Sequence, residues 1–121
     1  MSFEASVANE MHLIGAIMLN EIAGPAVLDQ LTTDMFQHRV HQDILKVLQG
    51  IRSENGKLNV EIAASRLEIS SRAIPREKWG DYLYDCGEST SASSIYDYAA
   101  ELRTTWYKTR LRDLASRRSE E

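Results

Sequence analysis

Apolar residues recur at helical spacing along almost the whole chain. Near the start they repeat every three or four residues, at Val7, Met11, Ile14 and Met18. Gly24-Pro25 then ends this element and begins a second, short one, because proline suits the first turn of a helix. Nowhere does the sequence alternate with the period of two that is typical of a strand, and it has no internal repeat. The pattern therefore predicts an all-α protein.

Three further helices are predicted in the middle of the chain. The first carries apolar residues from Val40 to Ile51 and ends at Asn55-Gly56. Asn59 is expected to cap the next, and Trp79 to Cys86 belong to the third. The stretches "EISSRAIPRE" and "GESTSASS" are predicted loops. With a long final helix over about residues 94–116, the sequence predicts a compact six-helix bundle. It forms a single domain, with a globular part at 1–93 and the long helix and start of a linker at 94–121.

The final helix carries two apolar stripes instead of one. At 100° per residue, one side holds the predicted core stripe: Ile95, Tyr98, Ala99, Leu102 and Trp106. A second stripe lies about 100° away and continues further along the helix, through Tyr96, Ala100, Arg103, Tyr107, Leu111 and Leu114. The second stripe predicts a helical partner from the same chain, a second copy or another protein. The alternative is a helix buried on two sides within its own domain.

Composition and charge narrow the function classes. The net charge is -4 and the pI about 5.4, which argues against nucleic acid as the main partner. Residues 100–121 hold six Lys or Arg against four Asp or Glu. These cations, with Arg118 among them, suit a helix C-terminus, and a nucleic-acid patch is the alternative. The longest apolar run is too short to cross a membrane, and no signal peptide precedes it. The expected location is the cytoplasm.

No catalytic or cofactor site can be assembled from the sequence. "GIRSENGKL" resembles a P-loop only superficially, because five residues separate its glycines and Leu58 replaces the magnesium-binding Ser or Thr. The single cysteine, Cys86, excludes a disulfide and is expected to be a small buried thiol. We therefore expect this chain to have no enzymatic activity and no cofactor.

Two histidines three residues apart, His38 and His41, raise the question of a metal site. Zinc requires three or four ligands, and no cysteine or Glu-x-x-His pattern supplies the others. The alternative is that His41, between the apolar Val40 and Ile44, is a packing residue whose ring nitrogens reach backbone carbonyls. We favour that interpretation.

The same stretch resembles a known family. The order Phe36, His41, Ile44 is similar to "DF(Y)xxxHxxIF" in the N-terminal domain of DnaB-type replicative helicases. "NEMHLIGAIMLN" resembles the family's "AEQxxLGxxLLN", with Glu10 and Gly15 in register. "WGDYLYDCGESTSASSIYDYAAEL" carries Leu83 and Tyr98 of a third pattern. Departures such as Met35 for Asp and Cys86 for Leu are typical of a divergent member, as from a phage or mobile element.

The resemblance implies a non-catalytic interaction domain of a hexameric, ATP-dependent helicase. In that family the last helix is the first arm of a helical hairpin that pairs subunits. The implied partners are further copies of the chain, as a dimer and within a hexamer, the primase C-terminal domain, and a helicase loader. Direct sequence-specific DNA binding and membrane contact are not implied. The alternative is a stand-alone phage or plasmid domain that mimics the helicase and binds host primase, helicase or loader.

Overall fold

The computed structural model describes residues 3–120, and side chains over residues 4–117. Within this range the chain forms no strand, and its α-helices are α1 Phe3–Leu19, α2 Gly24–Asp29, α3 Arg39–Ser53, α4 Val60–Ser70, α5 Trp79–Ser89 and α6 Ile95–Glu120. Short 3-10 turns occupy Thr33–Met35, Arg76–Lys78 and Ala92–Ser94. The predicted all-α bundle of six helices, ending in a long one, is confirmed.

Helix α1 lies at the centre of the bundle. It packs most extensively against α5 and α6, and also contacts α2 and α3. The crossing with α5 is close because Gly15 has no side chain: a Cβ there would lie 2.1 Å from the carbonyl oxygen of Cys86. The glycine thus allows the two backbones to meet.

The core forms around this crossing. Its largest fully buried side chains include Trp79 and Phe36, and the Cys86 thiol is also completely covered. Burial raises the pKa of the Cys86 thiol to about 12, and the neighbouring Asp85 carboxylate adds to the shift. The expectation of a buried thiol at this position is therefore confirmed.

The side chains at the helix borders explain where α3 ends and where α4 begins. The Asn59 side chain accepts hydrogen bonds from the backbone N–H groups of Glu61 and Ile62, at 2.7 and 3.4 Å, as its predicted capping role requires. After α3 the left-handed backbone conformation falls on Asn55, with φ of 59°, and not on the following Gly56. Asparagine tolerates this conformation because its short polar side chain can bond locally.

Both predicted loops are shorter than expected. Helix α4 continues to Ser70 and α5 to Ser89, so the first three residues of each stretch are helical. The chain becomes extended only at Ser71 and Thr90. Ser71 is tied down there, since its hydroxyl donates to an Asp43 carboxylate oxygen at 2.6 Å and accepts from the Ala73 N–H.

Candidate functional site

Helix α6 exposes a row of large apolar side chains. Tyr96, Tyr107, Leu111 and Leu114 are 55–66% exposed, and Ala100 between them is exposed as well. We call these five residues the outer face of α6. The sixth predicted residue, Arg103, lies at its edge and donates to the Gln30 side-chain oxygen at 2.6 Å. Burial of both stripes within one domain, the alternative interpretation, is therefore wrong.

The core side of α6 ends earlier than predicted. Ile95, Ala99 and Leu102 are buried, but Trp106 is only half-buried, and its assignment to the core stripe is corrected. Its ring packs locally, 4.9 Å from the Tyr107 ring and under the Arg110 guanidinium. Trp106 is only half-buried because α6 extends beyond the rest of the bundle.

Beyond Trp106 the helix projects from the domain. Every residue from 107 to 117 is exposed, and an ion pair between Arg110 and Asp34 at 3.5 Å connects this segment to the bundle. Lys108, Arg112 and Arg117 share this segment with Asp113, so the basic end is mixed in sign; Arg118 lies outside the described side chains. We call residues 107–117 the arm.

A polar network in the interior of the bundle joins helices α1, α3 and α5. His41 is 1% exposed, and its Nδ1 lies 2.8 Å from Glu10 Oε1 while its Nε2 lies 2.6 Å from the Tyr82 hydroxyl. Glu10 is 2% exposed, and its other oxygen accepts the Gln37 N–H at 2.9 Å. The expected backbone-carbonyl partners of His41 were wrong: both ring nitrogens meet side chains, from α1 and α5.

This network changes the chemistry of Tyr82. Burial raises the pKa of its hydroxyl well above 10, and the nearby Cys86 and Glu10 add to the shift. The phenol therefore stays protonated to a higher pH than that of an exposed tyrosine. The arrangement stabilises the bundle.

The other histidine does not complete a metal site. His38 Nε2 lies 3.1 Å from the Ser6 hydroxyl, and its ring meets that of His41 edge-on at 5.7 Å. Across the described residues no group of three or more His, Cys, Asp or Glu is arranged to hold a metal ion.

The remaining family-motif residues lie in the bundle. Phe36, Ile44 and Leu83 are at most 1% exposed. Tyr98 is half-buried, with its ring 5.3 Å from that of His12 and its hydroxyl accepting the Ser91 N–H. These residues contribute to the packing between helices.

Sequence reasoning missed two charged surfaces. One is a groove of about 510 Å³ between α3 and α4, with three cationic side chains on its walls. The other is the exposed side of α5, which carries three carboxylates. The sequence does carry a signal for both surfaces, since each helix repeats charges of one sign at a spacing of seven residues. Apolar periodicity does not detect such a repeat, because its residues are charged.

Comparison with known proteins gives one match. A family model described as "DnaB-like helicase N terminal domain" matches residues 2–104. Neither the curated proteins nor the solved structures yielded a match. Along the described helices, none is long and apolar enough to span a membrane.

Proposed function

Because the chain belongs to the family of DnaB-like helicase N-terminal domains, we propose that it is a non-catalytic protein–protein interaction domain of a replicative DNA helicase. Its first task is pairing of subunits. Its second is contact with the primase C-terminal domain during DNA replication. ATP hydrolysis and DNA translocation are assigned to another part of the parent helicase.

The observation that supports subunit pairing is the outer face of α6. Four large apolar side chains lie on one side of a helix that projects from its own domain. A short helix that packs on nothing is marginal in water, because most helix stability in proteins comes from an apolar face covered by tertiary contacts. A second helix against Tyr107, Leu111 and Leu114 would supply that cover, and the corresponding helix of a second copy is the partner we propose.

The test is a pair of carboxylates on the outer face. In Tyr107→Glu/Leu111→Glu we expect a folded monomer, since both side chains are more than half exposed in the single domain. Self-association should be lost, because an unpaired carboxylate buried at an interface costs several kcal/mol, of the order of 2–5. Sedimentation velocity and circular dichroism measure the two properties separately.

Two controls define the result. Thr109→Glu/Ser116→Glu adds the same charge about half a turn around the helix and should associate like the wild type. Leu102→Glu places a carboxylate at a 4% exposed core position and should unfold the domain. Loss of helical signal in Tyr107→Glu/Leu111→Glu, or unchanged association, would contradict the proposal.

Primase contact rests on family membership and has its own test. The purified C-terminal domain of the cognate primase is titrated into this domain in a calorimeter. We expect saturable binding with a Kd of roughly 1–100 µM, the range of transient assemblies. If no heat of binding is detected at primase concentrations up to about 100 µM, this part of the proposal is wrong. Subunit pairing is not affected by that result.

A further inference from the structure

The groove between α3 and α4 is cationic although the chain as a whole is acidic. Arg39 and Lys46 line it from α3, and Arg66 from α4. Its one lining carboxylate, Asp43, is already bonded to Arg39 at 3.1 Å and to the Ser71 hydroxyl. Arg66 pairs with Glu54, whereas Lys46 has no carboxylate partner among the described residues.

The groove also has apolar contact area. Val47 and Gly50 form part of its floor, and Ile69 stands 75% exposed at its rim. A cationic wall beside an exposed apolar side chain suits an acidic helix that carries an apolar or aromatic anchor.

Helix α5 presents such a surface on its outer side. Asp81, Tyr84, Asp85 and Glu88 follow one another at the i, i+3, i+4, i+7 spacing of a single helix face, and all four are exposed. No Lys or Arg occurs between residues 79 and 89. Within the described part of the chain none of the three carboxylates has a cationic partner. Tyr84, 62% exposed, lies at the middle of this acidic face.

The two surfaces match in length. Arg39 and Lys46 are seven residues apart on α3, and so are Asp81 and Glu88 on α5. At 1.5 Å per residue both pairs span about 10 Å along their helix axes. We propose that the acidic face of α5 of one copy docks into the cationic α3–α4 groove of a second copy, with Tyr84 against Val47 and Ile69.

This contact joins two different surfaces and so is head-to-tail. A head-to-tail contact adds further copies in one direction, and it closes into a ring when the rotation between copies allows. It uses none of the outer face of α6, so it stands or fails independently of the pairing proposed above. Because it depends on exposed charges, it should weaken as salt is raised.

The experiment isolates this contact by working in the Tyr107→Glu/Leu111→Glu background. There we expect association at about 50 mM salt that is lost at about 500 mM, as the screening length shortens. Lys46→Glu on the groove and Asp85→Lys on the acidic face should each raise the dissociation constant at least roughly tenfold. Lys57→Glu and Glu21→Lys, which reverse exposed charges elsewhere, serve as matched controls and should leave it unchanged.

Mixing the two reversed proteins gives the decisive readout. The Lys46→Glu protein keeps its acidic face and the Asp85→Lys protein keeps its groove. Their mixture should therefore form one-to-one pairs although neither associates alone. Sedimentation velocity resolves these species.

Three results would overturn the proposal. They are no association of the background protein at low salt, association insensitive to both reversals, and no pairing in the mixture. The same substitutions in wild-type α6 keep the test valid if the background variant misfolds. There the reversals should remove species larger than a dimer and leave the dimer itself, whereas failure of α6 pairing would show as absence of that dimer.

Discussion

At the scale of single residues, His41 is the side chain with the greatest structural consequence. It lies on α3 and bonds Glu10 of α1 and Tyr82 of α5, so one ring connects three helices. The Glu10–His41 contact lies away from water, since both side chains are at most 2% exposed, whereas Tyr82 is half-buried. A buried network of this kind stabilises only while every member has its partner.

Removing His41 should therefore cost more than a lost contact. In His41→Ala we expect the free energy of unfolding to fall by about 3 kcal/mol, because Glu10 is left buried without its main partner. Tyr82→Phe, which removes one hydrogen bond at the half-buried end, should cost only about 1 kcal/mol. Urea denaturation of both variants measures the difference. Equal costs would show that the Glu10–His41 contact has no special weight.

The raised pKa of the Cys86 thiol predicts that the free energy of unfolding falls at alkaline pH. Its pKa rises from 9.0 to about 12 in the folded state, so above pH 9 the unfolded chain ionises while the folded one does not. The stability contributed by the protonated thiol is complete below pH 9 and declines as the pH rises toward 12. Between pH 9 and 10 the wild type should lose about 1 kcal/mol more than Cys86→Ala. Tyr82 acts in the same direction but only above pH 10. Parallel losses in the two proteins would contradict the assignment.

At the scale of elements, the contact between α1 and α5 depends on a missing Cβ. Gly15→Ala would place that atom 2.1 Å from the Cys86 carbonyl oxygen, and a backbone atom cannot rotate away. We expect a loss of about 3 kcal/mol as the helices separate. Gly80→Ala in α5 meets nothing within 4 Å and should gain about 0.5–1 kcal/mol from helix propensity. Thermal unfolding of the pair checks this, and a neutral Gly15→Ala would mean that the crossing is looser than described.

Sequence patterns predicted the helices well and their ends less well. The cap at Asn59 could be predicted because it depends on residues adjacent to it. The extra turns at Ser70 and Ser89 could not, because serine-rich stretches suit loops and helix ends equally, and tertiary contacts decided where each helix stopped.

At the scale of the whole molecule, the candidate site was also predicted where it depends on local spacing and missed where it depends on tertiary contacts. Periodicity placed Tyr107, Leu111 and Leu114 on one side of α6, and they do share an exposed face. It also placed Trp106 in the core, which is wrong, since only the three-dimensional arrangement shows where the bundle beneath α6 ends. The partners of His41 were missed for a similar reason, because they come from residues 31 and 41 positions away.

The central place of α1 has a consequence for the order of synthesis. This helix ends at Leu19, but its most extensive contacts are with α5 and α6, and α5 begins only at Trp79. At about 5–20 residues per second, a ribosome needs roughly 3–12 s to make residues 20–78, which lie between them. Throughout that interval the apolar side of α1 has no α5 or α6 to pack against. A nascent chain of this domain therefore first exposes an unpacked helix to chaperones. It forms the closed bundle only after most of the domain has been translated.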